Sequence, residues 1–221
     1  VTESGLIFLK QRMPAAARRI QLLEVALDCF AAQGYHETSM EVIAETAGVT
    51  KPVLYQHFHS KQDLFLELLD TVGQQLLDTV SERVAAQADP YQKLLAGFRT
   101  YFDFVCERTS AFQIVFGGSA RLTEEFSESV RRIEAGMAAT ISAHINADLD
   151  DEHRDLLGYA IVGLGEVAGR RWVTLHEDAE RPGAAQREDE AAVLAERLAN
   201  LMWAGLRGLP GSPSSRPGTE G

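Results

Sequence analysis

Apolar residues recur along this chain with a period near 3.6, while period-two alternation is hard to find, so the expectation is an all-helical protein. Ile20, Leu23, Leu27 and Phe30 form the first stripe, and Gly34 follows it in the place of a C-terminal glycine. Thr38 with Glu41 reads as a capping box that opens a short helix to about Ala47, and Gly48 breaks it. Thr50 reads as the N-cap of the next helix. Pro52 falls in that helix's first turn, where a missing N–H costs nothing. Ser60 and Asp63 repeat the capping pattern ahead of a longer stripe, Leu64, Leu68, Val72 and Leu76, running to about Ala86.

Asp89-Pro90 opens a helix to about Arg108 that carries Phe98, Tyr101, Phe102, Phe104 and Val105. A short helix follows from Ser110 to about Phe116, closed by Gly117-Gly118. Leu122 to about Ala147 reads as a long helix with Phe126, Val130, Ile133, Met137, Ile141 and Ile145 on one side. After the polar turn DLDDEHRD, Leu156 to His176 is a helix dotted with glycine and alanine. HEDAERPGAAQRED reads as a loop, Glu190 to about Leu206 as the last helix, and GLPGSPSSRPGTEG as a disordered tail. The pattern thus predicts nine helices and no internal repeat.

Length and composition narrow the class. A chain of 221 residues, 45% hydrophobic, suits one large domain or a small one joined to a larger one. No apolar run approaches the roughly 18–20 residues of a membrane span. The short apolar patch Leu6–Leu9 has its positive charges after it, the reverse of a signal peptide, so the expected location is cytoplasmic, with no membrane partner. Cys29 and Cys106 sit in apolar helical patterns and are expected as buried free thiols.

Charge changes the picture more. Up to Lys61 the basic residues (Lys10, Arg12, Arg18, Arg19, Lys51, Lys61) balance the acidic ones (Glu3, Glu24, Asp28, Glu37, Glu41, Glu45). All of the net charge of −11 therefore lies beyond Lys61. A polyanion is repelled by the later part and tolerated by the earlier one, so nucleic-acid binding has to be local and oriented.

The stretch from Thr38 to Leu64 has the organisation of a helix-turn-helix. Ala44 is a small residue where the two helices cross, and Gly48 is the turn. Ile43, Ala47, Val49, Leu54 and Phe58 are the apolar lock, with Ile20, Leu27 and Phe30 behind them. In this motif the second helix enters the DNA major groove with its N-terminal residues at the base edges. Here those residues are Thr50, Lys51, Pro52 and Val53, then Tyr55 and Gln56 one turn on.

The run AGVTKPVLYQHFHSKQDL, with the residues around it from about Ala15 to Leu69, resembles the TetR family of bacterial transcriptional regulators. The family's pattern there is similar to AGVSxGxLYxHFxSKxxL. Pro52 departs from it, standing where many members have glycine or another small residue, so an operator sequence does not carry over. The resemblance implies an all-α fold: an N-terminal three-helix helix-turn-helix DNA-binding domain (residues 14–60), a C-terminal helical ligand-binding and dimerisation domain (61–208), and here a tail (209–221). It implies a DNA-binding regulator that is not an enzyme and needs no cofactor, most often a ligand-responsive repressor acting as a homodimer on double-stranded DNA. It also implies phosphate contacts from Thr38, Tyr55, His57 and Lys61. Thr50, Lys51, Pro52, Val53 and Gln56 are the candidates for base edges: lysine donates to guanine, glutamine pairs with adenine, and proline and valine meet a thymine methyl. Thr38 and Thr50 suit plain N-caps equally well.

Beyond Leu69 only helix count and lengths support the resemblance. Phe98, Tyr101, Phe102, Val105, Phe112, Phe116, Met137 and Trp172 are the candidates for lining a cavity for a small apolar effector; each also suits ordinary core. Ala160, Gly163, Val167 and Gly169–Arg170, facing Leu194, Leu198, Leu201, Met202 and Gly205, are the candidates for a dimer face. His144, Asp148, Asp150, Asp151, Glu152 and His153 resemble a metal cluster in text. They fall at a helix end and turn, where acids favour the next helix's N-terminus, and no metal site is expected. Glu166 and Arg170 are spaced for an i, i+4 pair. A DNA binder controlled by a protein partner, or unregulated, is the alternative reading.

Overall fold

The structure, a computed structural model, describes residues 13–117, 123–145, 147–177 and 184–209. Among them it has nine helices and no strand: α1 Ala15–Glu37, α2 Met40–Thr46, α3 Lys51–His57, α4 Lys61–Ala85, α5 Pro90–Glu107, α6 Thr109–Phe116, α7 Glu124–Ser142, α8 Asp151–Glu177 and α9 Ala184–Leu206. The all-helical expectation is met. The chain divides into two compact units, the first up to Leu64 and the second from Phe65, so the division falls one turn inside α4 and not at its start.

In the first unit, Gly34 interrupts α1 with φ 80°, ψ 165°, the stop its position predicts. The buried side of α1 is Leu22, Leu23, Ala26, Cys29 and Phe30. This corrects part of the predicted stripe: Ile20 is 59% exposed and Leu27 is only half-buried, because the face that meets α2 is rotated by about a residue. Ser39, not Thr38, caps α2, its Oγ accepting from the Val42 N–H. The turn after α2 is a Schellman motif. Gly48 has φ 65°, its N–H donates to the Glu45 carbonyl, and the Val49 N–H donates to the Ala44 carbonyl. A side chain there is strained by its backbone even though the space is open.

In the second unit, α5 packs on α9 and α7 on α8, with α5 and α6 also meeting α8. The buried side of α9 is Ala191, Ala195 and Ala199, small residues four apart that let α5 come close. Gly73 of α4 faces Ile133 of α7, and Gly136 of α7 faces Leu77 of α4, so glycine replaces bulk on each side in turn. The ends of three helices differ from the pattern. α7 stops at Ser142, short of Ala147. α8 starts at Asp151, with Asp150 accepting from the His153 N–H. α9 starts at Ala184, inside the predicted loop. The remainder of that loop (178–183) and residues 210–221 of the tail lie outside the described residues.

Candidate nucleic-acid interface and apolar cavity

The candidate recognition helix, α3, is short and has two distinct sides. Leu54 and Phe58, both fully buried, hold it to the first unit, each contributing about 1.5–3 kcal/mol of burial. Arg19 of α1 locks its end: the guanidinium lies 4.4 Å over the Phe58 ring, and Nη1 donates to the His57 carbonyl. Arg19 has no motif signal of its own, and its role emerges only from the packing. On the outer side Thr50, Lys51, Pro52, Tyr55 and Gln56 are exposed, with Val53 and His57 half-buried beside them. Thr50 is the N-cap residue, yet its side chain makes no capping bond. Lys51 pairs with Glu41 of α2 and lies 5.9 Å from the Tyr55 ring centroid. That pair is solvent-exposed, so it contributes about 0–1 kcal/mol.

Two predicted phosphate contacts are placed otherwise. Thr38 is 1% exposed, and its hydroxyl donates inward to the Cys29 and Gly34 carbonyls. Lys61 spends its three N–H donors on the carbonyls of Tyr35, His36 and Thr38, at 2.8, 3.1 and 2.9 Å, with the ammonium 4.5 Å over the Tyr35 ring. Both residues fasten the α1–α2 connection and offer no free donor to DNA. Ser60 and Asp63 do form a cap: the Ser60 hydroxyl accepts from the Asp63 N–H, while the Asp63 carboxylate reaches one residue further back and accepts from the His59 N–H.

The second unit contains a cavity of about 450 Å³ between α4, α5, α7, α8 and the end of α9. Of the eight predicted lining residues it brings together three, Phe98, Tyr101 and Met137. Phe102, Val105, Phe112, Phe116 and Trp172 are buried outside the lining, a correction with a packing reason. Phe102, Phe112 and Phe116 close edge-on around Tyr101 at 5.4, 6.3 and 6.2 Å and fill the core there, while Trp172 stacks on His176 at 4.1 Å. The pattern missed Ile161, Val162 and Trp203, and the charged or polar Lys93, His144 and Arg207. Ile141 and Ile145 also line the cavity, and their place on the α7 stripe was the available signal. The Tyr101 hydroxyl is buried with no partner among the described residues, and burial pushes its ionisation up, Glu166 adding to the effect.

Glu166 pairs with Arg170 one turn on, as spaced. The His144 ring donates from Nδ1 to the Thr140 carbonyl, and among the described residues no group of three His, Cys, Asp or Glu is placed to hold a metal ion. No described helix is long and apolar enough to cross a membrane. Cys29 and Cys106 are free and buried.

Comparison with known proteins bears on this geometry. Residues 22–68 match the model of the bacterial regulatory proteins of the tetR family, a segment that spans the candidate helix-turn-helix. The HTH-type transcriptional regulator TcmR of Streptomyces glaucescens is 31% identical over 166 residues, covering 70% of this chain and 72% of that protein. This chain belongs to the TetR family. It is therefore one of a family of DNA-binding transcriptional regulators. A second relative, matched over a longer stretch, is the HTH-type transcriptional activator FasR of Mycolicibacterium smegmatis, 27% identical over 201 residues, 90% of this chain and 87% of that protein. The crystal structure of a TetR-like regulator from Rhodococcus sp. RHA1 superposes with a TM-score of 0.69 at 27% identity, covering 89% of this chain and all of that one.

Proposed function

We infer that this TetR-family protein is a ligand-responsive repressor that binds a near-palindromic operator as a homodimer, its first unit reading DNA and its second binding an effector and the partner copy. The observation that carries the reading is the two-sided α3: Leu54 and Phe58 anchor it while Thr50, Lys51 and Pro52 stand exposed at its leading edge, with Val53 half-buried beside them and Gln56 exposed one turn on. Those five face base edges, and Tyr55 and His57 face phosphates. Thr38 and Lys61 act from behind by fixing the α1–α2 connection. Paired reading heads sit about 34–36 Å apart, or a multiple of that, to meet two half-sites.

The cavity favours a small-molecule effector over a protein partner or an unregulated binder. Its volume lies in the range of ligand sites, roughly 300–1,000 Å³, and its walls are mostly apolar. Val80 and Val84 of α4 line it, and α4 is the helix that Ser60 caps directly after α3. A ligand that favours one setting of α4 shifts the population of DNA-competent dimers. FasR is named an activator, so the sign of regulation is read from a reporter gene.

The test is binding to a panel of operator variants. Tyr55→Ala lowers affinity for all sequences alike, whereas Gln56→Ala erases a preference at one base pair, about 5–150-fold for a bidentate contact. If neither variant alters DNA binding, α3 is not the reading helix.

A further inference from the structure

The spacing of Glu41 from Thr38 predicts a capping box, but Ser39 caps α2 and leaves Glu41 at the second helical position with no capping task. Met40, Ile43 and Ala44 form the buried side of α2, and Glu41 stands exposed. Its carboxylate reaches across the turn to the ammonium of Lys51, the first residue of α3. α3 has no acid in its own first turn, and Thr50 makes no capping bond there, so the charge that answers Lys51 comes from α2. On the other side the ammonium lies 5.9 Å from the Tyr55 ring centroid. Lys51 is thus tethered at the edge that meets DNA. A free lysine is a point charge on a flexible stem, and it finds the nearest phosphate whatever the base sequence. A lysine bound to a carboxylate keeps two of its three donors, and leaving for a phosphate breaks the pair. The two acceptors of a guanine edge, O6 and N7, can be met by the remaining donors without releasing Glu41.

From this juxtaposition we propose that Glu41 is a specificity-determining residue that acts through Lys51: it holds the ammonium for a base edge and withholds it from phosphates, so affinity for DNA of arbitrary sequence falls more than affinity for the operator. Glu41 is a positioning residue in this role and touches no base itself. The proposal rests on α3 as the reading helix and adds what sets its discrimination.

The experiment is equilibrium binding of the full chain, by fluorescence anisotropy over a range of salt, to two labelled duplexes. One is the duplex that wild type enriches from a random-sequence library, and the other is a shuffled duplex of the same composition. Glu41→Gln keeps the length of the side chain and removes its charge at an exposed position, so the melting transition of wild type is retained. Affinity for the shuffled duplex is expected to rise about fivefold, the upper end for an exposed pair, and the enriched-to-shuffled ratio to fall. The log–log salt slope on the shuffled duplex steepens by about 0.9, the mark of one more phosphate neutralised. A glutamate with a merely structural role moves the melting transition and not that slope. In a Lys51→Ala background, Glu41→Gln changes neither the ratio nor the slope. The same rise with Lys51 absent means that the carboxylate repels DNA directly, which overturns the proposal, and so does an unchanged ratio and slope in Glu41→Gln alone. If Lys51→Ala by itself leaves the enriched sequence and both affinities as in wild type, the reading of Lys51 at the leading edge of α3 fails, and this proposal with it.

Discussion

Lys61 shows how a residue with the right chemistry is reassigned by its neighbours. An ammonium beside a candidate DNA-reading helix suggests a phosphate contact, yet its three donors end the α1–α2 connection by binding the carbonyls of Tyr35, His36 and Thr38. Cations near orphan carbonyls at a helix end stabilise it, and charge-assisted bonds exceed neutral ones. Because the site is partly open to solvent, the expected loss for Lys61→Ala is about 1 kcal/mol of stability. Denaturant titration of Lys61→Ala beside Tyr55→Ala checks this: the first loses stability, and the second keeps it while losing DNA affinity. Unchanged stability in Lys61→Ala, with DNA affinity lost, returns the lysine to a phosphate role. Thr38 and Ser39 make the same point. Adjacent hydroxyls offer the same cap from sequence, and the choice falls to Ser39 because the Thr38 hydroxyl is drawn to carbonyls of α1.

At the scale of elements, α8 and α9 each leave an apolar stripe uncovered. On α8 it holds Leu156, Ala160, Gly163 and Val167, with Leu156 and Val167 64% and 59% exposed and nothing near the place of a Gly163 Cβ. On α9 it holds Leu194, Leu198 and Leu201, then Gly205, also open. Gly169, expected in the same stripe, turns inward: a Cβ there meets the Phe112 ring at 3.1 Å. Stripes of this kind suit a self-complementary two-fold contact. Val167→Glu with Leu201→Glu is expected to convert a dimer to a folded monomer in analytical ultracentrifugation; a wild-type chain that is monomeric at micromolar concentration contradicts the assignment.

The same elements show what the sequence made legible. Existence and order of the helices followed from apolar period and caps, because those are local. The early start of α9 was missed because AAQRED carries helix propensity without an apolar stripe, so periodicity alone read it as loop. The cavity walls were only partly legible. Phe112 and Phe98 carry the same apolar signal, and whether each fills core or borders empty space depends on how α5, α6 and α8 are set against one another. Lys93 and Arg207 gave no signal at all, since single basic residues on helices are ordinarily solvated.

For the whole molecule, neutral charge is confined to the segment that carries α1 to α3, and the acidity to the remainder. Approach to DNA is thereby oriented, and binding falls steeply with salt in proportion to the phosphates neutralised. The central claim is that α3 reads base edges as one of a symmetric pair. Selection of bound duplexes from a random-sequence library tests it most directly, run with wild type, with Gln56→Ala and with Lys51→Ala. Wild type is expected to enrich two inverted half-sites, and Gln56→Ala to relax symmetric positions, one in each half-site. A library that emerges from wild-type selection without any enriched sequence, or the same inverted site recovered unchanged with Gln56→Ala and with Lys51→Ala, contradicts it.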